Sequence, residues 1–173
     1  MAYFNGTNSN DTWYGTSGDD IIRGYGGNDT LRGGQGYDRI LGGDGHDRLY
    51  GDGGNDYLFG NNGNDYISGG SGRDYLSGGN GRDQLFGGSG NDYLTGDAGD
   101  DYADGGTGND AIFGGSGRDL LNGGAGDDFV YGGTGDDTLY ANAGNDKLYG
   151  GDGNDALYVK GKGLTQITTS SNA

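Results

Sequence analysis

The sequence predicts an all-β solenoid, because it repeats every nine residues, is rich in glycine and contains neither proline nor glutamate. Seventeen consecutive nine-residue units fill residues 6–158 without an insertion. Of the 173 residues, 46 are glycine and only 29% are hydrophobic, which is too little apolar surface for an ordinary globular core. All acidic residues are aspartate, a residue typical of turns and poor in helices. Short stacked strands joined by turns are the fold class that meets these conditions.

Four positions of the repeat are nearly constant, and each has a physical interpretation. Positions one and four are glycine in sixteen of seventeen units, position six is always aspartate and position eight is always apolar. The first six positions predict a tight turn with positive-φ residues. The last three, as in Tyr93, Leu94 and Thr95, predict a very short strand whose middle residue points inward. Such strands become stable only when identical coils stack and pair.

The unit Gly-Gly-Ser-Gly-Arg-Asp-Tyr-Leu-Ser at residues 69–77 resembles the repeats-in-toxin (RTX) nonapeptide, whose pattern is G-G-x-G-x-D-x-U-x. The resemblance covers 153 of the 173 residues. It implies a right-handed parallel β-roll, a β-solenoid with two repeats per coil and Ca²⁺ ions between stacked turns. Turns on one side of the roll would then lie 18 residues apart, as Asp56, Asp74 and Asp92 do.

The same resemblance implies where calcium binds. Each ion would lie between successive turns on one side, with carboxylates shared between ions and backbone carbonyls of positions one to four completing the shell. Seventeen turns divide into nine and eight, which leaves fifteen gaps, and Ser9 in a glycine position lowers the expectation to between 13 and 15 ions. The candidate metal ligands are Asp11, Asp20, Asp29, Asp38, Asp47, Asp56, Asp65, Asp74, Asp83, Asp92, Asp101, Asp110, Asp119, Asp128, Asp137, Asp146 and Asp155.

Charge predicts that the fold depends on the metal. A net charge of −16 combined with low hydrophobicity is typical of a disordered chain, so a cation must neutralise the aspartates before the chain compacts. Aspartates that only formed turns would alternate with Asn, Ser and Gly, whereas position six never varies. We therefore expect disorder without Ca²⁺ and a folded roll with it.

Other chemistry finds little support in the sequence. His46, the single histidine, occupies variable position five, where a surface role is expected, and no nucleophile–base pair can be built around it, so no enzyme is predicted. There is no cysteine for a disulfide or thiolate site. Arg73, Arg82 and Arg118 also lie at position five and are expected to offset aspartate charge and not to bind nucleic acid. No segment reaches the roughly 18 apolar residues of a membrane span.

Aromatic residues leave two interpretations open. Of the 19 Tyr and Phe residues, 15 occupy positions seven or nine, whose side chains face outward. Tyr57, Tyr75 and Tyr93 are expected to form a ladder on one sheet, with Phe59 beside it. The ladder could stabilise thin sheets through cross-strand stacking, or it could form a sticky face for self-association or for sugar rings.

The domain organisation follows the repeat: a short lead at residues 1–5, one β-roll at 6–158, and a closing strand and frayed tail at 159–173. Trp13 is expected to plug the first coil, and Val159, Leu164 and Ile167 to form the closing strand. Thinly capped coil ends also favour self-association.

These observations predict a structural or self-assembling module outside the cell or on its surface. Residues 1–10 lack the pattern of a signal peptide, which favours type I secretion. The alternative is a carbohydrate-binding or secretion and folding accessory module of a larger type I secreted enzyme or toxin, with an anionic polysaccharide as partner.

Overall fold

The computed structural model describes residues 1–160 and 166–170, and within them the chain is a parallel β-solenoid of two facing sheets. The described residues contain nineteen strands and no helix, so none of them forms a helix able to cross a bilayer. Odd-numbered strands form one sheet and even-numbered strands form the other.

The first sheet contains ten strands, ordered as in the sequence. They are β1 (Tyr3–Asn5), β3 (Ile21–Gly26), β5 (Arg39–Asp44), β7 (Tyr57–Asn62), β9 (Tyr75–Asn80), β11 (Tyr93–Ala98), β13 (Ala111–Ser116), β15 (Phe129–Thr134), β17 (Lys147–Asp152) and β19 (Gln166–Ser170).

The second sheet contains nine strands, also in sequence order. They are β2 (Thr12–Tyr14), β4 (Thr30–Gln35), β6 (Arg48–Gly53), β8 (Tyr66–Ser71), β10 (Gln84–Ser89), β12 (Tyr102–Thr107), β14 (Leu120–Asn122), β16 (Thr138–Ala141) and β18 (Ala156–Val159).

Strand register confirms that one coil consists of two repeats. Tyr75 pairs with Tyr93 and Leu76 with Leu94, an offset of 18 residues in parallel strands. The same offset holds from β1 to β18, and only the pairing of β17 with β19 shifts register. Successive repeats therefore alternate between the sheets, and the turns alternate between two sides of the roll.

The strands are longer than the sequence predicts. A typical strand has six residues, positions seven to nine of one repeat and one to three of the next, so the three-residue prediction was wrong. Pairing continues past the corner because glycine or an equivalent positive-φ residue at position two lets the backbone bend and resume the ladder. Gly70 pairs with Gly88 and Ser71 with Ser89, beyond the bend. The turn proper therefore occupies positions four to six.

One side chain from each strand fills the core. Every position-eight residue from Ile22 to Leu148 is fully buried, and these side chains stack coil upon coil. Ala103 lies between Leu85 and Leu121 in this column and is also fully buried. Because the core is one residue thick, each coil buries little apolar surface, and the backbone ladders must supply much of the cohesion.

Both ends of the described fold carry strands from outside the repeats. β1 pairs with β3, and its Phe4 ring stacks on Trp13 with centroids 4.5 Å apart, both packed against the core as the sequence predicts for Trp13. β19 contains Ile167 and pairs with β17. Leu164 and residues 171–173 lie outside the described residues, whereas residues 168–170 of the predicted frayed tail belong to β19.

The predicted tyrosine ladder is present on the first sheet. The ring centroids of Tyr57 and Tyr75 are 5.9 Å apart, and those of Tyr75 and Tyr93 are 5.0 Å apart and nearly parallel. Ring contacts continue through Phe113 and Phe129 to Tyr149, so the stripe crosses from β7 to β17. A second stripe on the other sheet contains Tyr50, Tyr66, Phe86 and Tyr102.

Candidate metal centre

The position-six aspartates form two buried columns, one along each side of the roll. Fifteen of the seventeen are no more than 3% exposed, and only the end residues Asp11 and Asp155 are less deeply buried. Aspartate is rarely buried unless it is paired or bound to a metal. The fold nevertheless brings like charges together at every coil.

Within each column the Oδ1 oxygens connect successive coils. The backbone N–H of Asp74 donates to Oδ1 of Asp92 at 2.8 Å, and the N–H of Asp65 donates to Oδ1 of Asp83 at 2.7 Å. The same bond recurs along both columns from Asp11 to Asp155. Each carboxylate is therefore held at the interface of two turns, where it is shared between neighbouring coils.

The second carboxylate oxygen, Oδ2, is buried without a hydrogen-bond partner in fourteen aspartates. Leaving a buried polar atom unpaired costs about 1–3 kcal/mol, and more for a charged group, so a regular column of such atoms indicates a ligand. The fourteen residues are Asp29, Asp38, Asp47, Asp56, Asp65, Asp74, Asp83, Asp92, Asp101, Asp110, Asp119, Asp128, Asp137 and Asp155.

The glycine at position one forms a cradle beside each Oδ2 oxygen. A Cβ atom on Gly69 would lie 2.4 Å from Oδ2 of Asp74 and 2.8 Å from the carbonyl oxygen of Gly87 on the next coil. The arrangement recurs at Gly78 with Asp83 and Gly96. A side chain there would fill the space into which the carboxylate and carbonyl oxygens point.

Further backbone carbonyls stack along the turn. A Cβ atom on Gly90 at position four would lie 1.6 Å from the carbonyl oxygen of Gly72, and one on Gly88 at position two would lie 2.2 Å from that of Gly70. Both glycines have positive φ, 134° and 108°. Among the described residues, no group of three or more His, Cys, Asp or Glu side chains is placed to hold a metal ion. Carboxylate and carbonyl oxygens are the donors that fit a hard cation such as Ca²⁺.

Burial and neighbouring charges raise the pKa values of the column. Burial, reinforced by Asp92 and Asp56, raises the pKa of Asp74 to about 7. Burial also raises the pKa of Asp83 to about 7, with Asp101 and Asp65 contributing. Asp20 is an exception: burial acts on it too, but hydrogen bonds from Thr16 and Ala2 hold its pKa below the usual value. For Asp74 and Asp83, the one backbone N–H donated to Oδ1 therefore does not offset burial and the neighbouring negative charges.

A comparison with protein families identifies the repeat. The model of the RTX calcium-binding nonapeptide repeat matches segments that together span residues 5–160, at 5–40, 41–76, 68–103, 77–112, 95–130, 104–139 and 131–160. The chain belongs to the RTX calcium-binding repeat family. RTX nonapeptide repeats bind calcium, and Ca²⁺ is the ion expected at these turns. No curated protein matches the chain.

The structure places the seventeen predicted RTX site residues in columns of nine and eight. It also separates three of them from the rest, because Asp11, Asp20 and Asp146 are absent from the set with unpartnered Oδ2 atoms. Thr7 and Thr16, which the sequence interpretation did not single out, donate to Oδ2 of Asp11 and Asp20, each through its backbone N–H at 2.7 Å. The threonine at position two, where glycine is common, is the sequence feature that could have predicted these contacts.

Position five has a structural role that the sequence interpretation missed. The side-chain oxygen of Asn55 accepts the backbone N–H of Arg73 at 2.8 Å, one coil later, and Asn109 does the same for Asp127. His46 continues this ladder, with its Nδ1 accepting the N–H of Asn64 at 2.8 Å. The signal was the predominance of Asn and Asp at this position, twelve of seventeen repeats. The expectation that position five is an unconstrained surface site was therefore incomplete.

The arginines of position five act as expected where the described contacts include them. Arg82 and Arg118 lie 3.4 Å and 3.1 Å from Oδ2 of Asp100, which is placed between them along the roll. Arg118 also donates its backbone N–H to Oδ1 of Asp100. These exposed ion pairs reduce local repulsion, although each contributes little to stability on its own.

Replacing one interior aspartate tests whether its carboxylate is shared between coils. We expect Asp83→Asn to destabilise the calcium-loaded roll by about 3–5 kcal/mol, the effect of removing one partner from a buried ion pair. Asparagine keeps an oxygen for the N–H of Asp65 but loses the charge. Asp155→Asn, in the less buried end turn, is the matched control and should cost less than about 1 kcal/mol. Urea unfolding in saturating Ca²⁺ measures both, and equal costs would contradict a shared interior ligand.

The raised pKa values also predict how pH changes the stability of the roll and its calcium-dependent folding. Because folding raises these pKa values from 3.8 to about 6–7, the metal-free roll is most stable below about pH 4 and loses that stability as pH rises through about 6–7. Protons and Ca²⁺ compete for the same carboxylates. Between pH 7.5 and pH 5.5 the unfolded chain stays ionised, whereas protons bind the folded roll, so we expect the calcium midpoint of folding to fall as the pH is lowered over this range. A midpoint that does not change with pH, measured by circular dichroism, would contradict this coupling.

Proposed function

We propose that this RTX chain is an extracellular structural module that is disordered without Ca²⁺ and folds into its β-roll when calcium binds. The observation that carries the proposal is the column of fourteen buried carboxylate oxygens without partners. Such a column is unfavourable at neutral pH unless cations occupy the turns. We assign no catalytic role to the chain.

In this proposal the position-six aspartates and the turn carbonyls bind the ions in the gaps between successive turns. Two features support the assignment: each aspartate reaches an adjoining coil through Oδ1, and its Oδ2 points toward the position-one glycine and a carbonyl oxygen. When bound, calcium supplies positive charge at the point where two carboxylates approach. The aspartates and glycines supply the oxygens and the space.

The location of the protein follows from the calcium affinity expected for such sites. Extracellular modules bind Ca²⁺ with dissociation constants of about 10⁻⁴–10⁻³ M, far above the free calcium of the cytosol. RTX repeats are typical of secreted proteins. A chain that binds calcium this weakly would stay unfolded before export and fold outside, which is compatible with type I secretion.

Calcium-dependent folding can be measured directly. We expect far-ultraviolet circular dichroism to show a disordered chain in excess chelator and a cooperative gain of β structure on calcium titration, because the metal supplies the folding free energy. Magnesium at the same concentration is the control, since its smaller shell fits a wide oxygen cage poorly. A chain that is fully folded in chelator would overturn the proposal.

Self-association through the aromatic faces is the form of structural role that the surface favours. The stripe on the first sheet exposes large parts of Tyr57 and Tyr93, 54% and 38%, on an otherwise polar surface. Fifteen ions would change the formal net charge from −16 to +14, and charge repulsion would vanish at about half loading. Apolar rings and low net charge together favour contact between rolls.

Light scattering during a calcium titration tests this assembly. We expect particle size to increase partway through the titration, and Tyr75→Ser with Tyr93→Ser to suppress the increase because the central rings of the stripe are lost. Tyr140→Ser, outside both continuous stripes, is the matched control. A strict monomer at every calcium concentration would refute self-assembly.

A groove beside the tyrosine ladder favours carbohydrate binding as the second candidate function. Its volume is about 420 Å³, and its lining includes Tyr37, Asn55, Arg73, Tyr57 and Tyr75. Flat rings beside an arginine and an amide suit stacked sugar rings that carry a carboxylate. The candidate would gain if the protein stayed monomeric and its migration were slowed in gels that contain an anionic polysaccharide, with Arg73→Gln reversing the effect.

A further inference from the structure

In the first coil, the aspartate Oδ2 oxygens have different hydrogen-bond partners from those in the other coils. Oδ2 of Asp11 accepts the backbone N–H of Thr7 at 2.7 Å and the Thr7 hydroxyl at 3.1 Å. Oδ2 of Asp20 accepts the N–H of Thr16 at 2.7 Å and its hydroxyl at 2.9 Å. Two donors therefore converge on each oxygen whose counterparts in the interior repeats have none.

A change in backbone conformation produces these bonds. In fourteen of the fifteen later repeats the position-two residue has φ between 72° and 122°, whereas Thr7 and Thr16 do not adopt positive φ. A β-branched residue is strongly disfavoured there, so threonine redirects the turn. Its N–H then points at the aspartate of its own repeat. The hydroxyls also accept the position-four N–H groups of Ser9 and Gly18, at 3.1 Å and 3.2 Å.

The protein supplies further contacts to this coil. The N–H of Ala2 donates to Oδ1 of Asp20, the place that an aspartate N–H of the preceding coil takes elsewhere. The stacked rings of Phe4 and Trp13 pack against the core column. Protein groups thus supply both the donors to these two carboxylates and the apolar packing of the coil.

We propose that the first coil binds no calcium, because Thr7 and Thr16 provide to Asp11 and Asp20 the contacts that ions provide in the later coils. A cation entering either gap would meet N–H donors directed at the oxygen it needs, and positive charge beside a donor is repelled. The calcium columns then begin with the gaps between Asp29 and Asp47 and between Asp38 and Asp56. This inference rests on the proposed function and specifies which turns take part in it.

The number of bound ions tests the inference. Removing the two gaps that involve Asp11 and Asp20 from fifteen leaves at most thirteen ions. The double variant Thr7→Gly with Thr16→Gly restores the glycine common at position two, frees both Oδ2 oxygens and should bind two more ions than the parent. Thr7→Ser with Thr16→Ser retains the donors and should match the parent. Native mass spectrometry in saturating Ca²⁺ counts the ions on the full chain.

The outcomes separate this inference from the function on which it rests. A parent chain with fourteen or fifteen ions, or equal counts in the parent and the glycine variant, would overturn the inference and leave calcium-driven folding intact. A parent chain that binds no calcium would overturn both. If the glycine variant failed to fold, the ion count of the parent alone would still decide, since thirteen or fewer supports the inference and a larger number contradicts it.

Discussion

The fold stacks buried carboxylates of like charge on successive coils, and the rest of the structure depends on this arrangement. Asp56, Asp74 and Asp92 follow one another at 18-residue intervals, each almost completely buried, and the charges of Asp92 and Asp56 add to burial in raising the pKa of Asp74. Like charges in a medium of low polarity repel strongly, so the stack is unfavourable until cations are placed between its members. Family membership and the unpartnered oxygens agree that calcium is the ion.

The glycine content follows from the same requirement. At position one a Cβ atom would collide with the carboxylate and carbonyl oxygens of the turn, and a Cβ atom on a position-two or position-four glycine would collide with carbonyls of the preceding coil. Apart from Ala141, these positions therefore add no side chain to the core, which consists of the position-eight residues. A chain built this way gives up hydrophobic stabilisation, which supports the proposed coupling of folding to calcium binding.

The nine-residue period and the resemblance to the RTX repeat together predicted much of this structure. The period identified the inward residues, and the two repeats per coil that the resemblance implies aligned Tyr75 with Tyr93 and the aspartates with one another. The sequence pattern could not predict strand length. A Gly-rich segment can form either a turn or a bent strand, and pairing with the neighbouring coil decides between them. The position-five ladder was missed because Asn, Asp and His are different residue types. Each of them nevertheless offers a side-chain acceptor to a backbone N–H of the next coil.

Repeats that depart from the consensus show local changes of structure that the nine-residue period does not predict. Ala141 replaces the position-one glycine, and its buried side chain joins the core cluster. Asn142 follows without positive φ, and the strands on this side shorten to β14 and β16, joined beyond their ends only by isolated bridges at Ala125. Thr7 and Thr16 change the opposite part of the roll by the same means, since each removes positive φ from position two. Every repeat with a positive-φ residue at position two, whether Gly, Tyr, Asn or Asp, has an unpartnered aspartate Oδ2, whereas threonine at that position gives Oδ2 two protein donors. The backbone conformation at position two, and not glycine itself, therefore distinguishes the two kinds of turn.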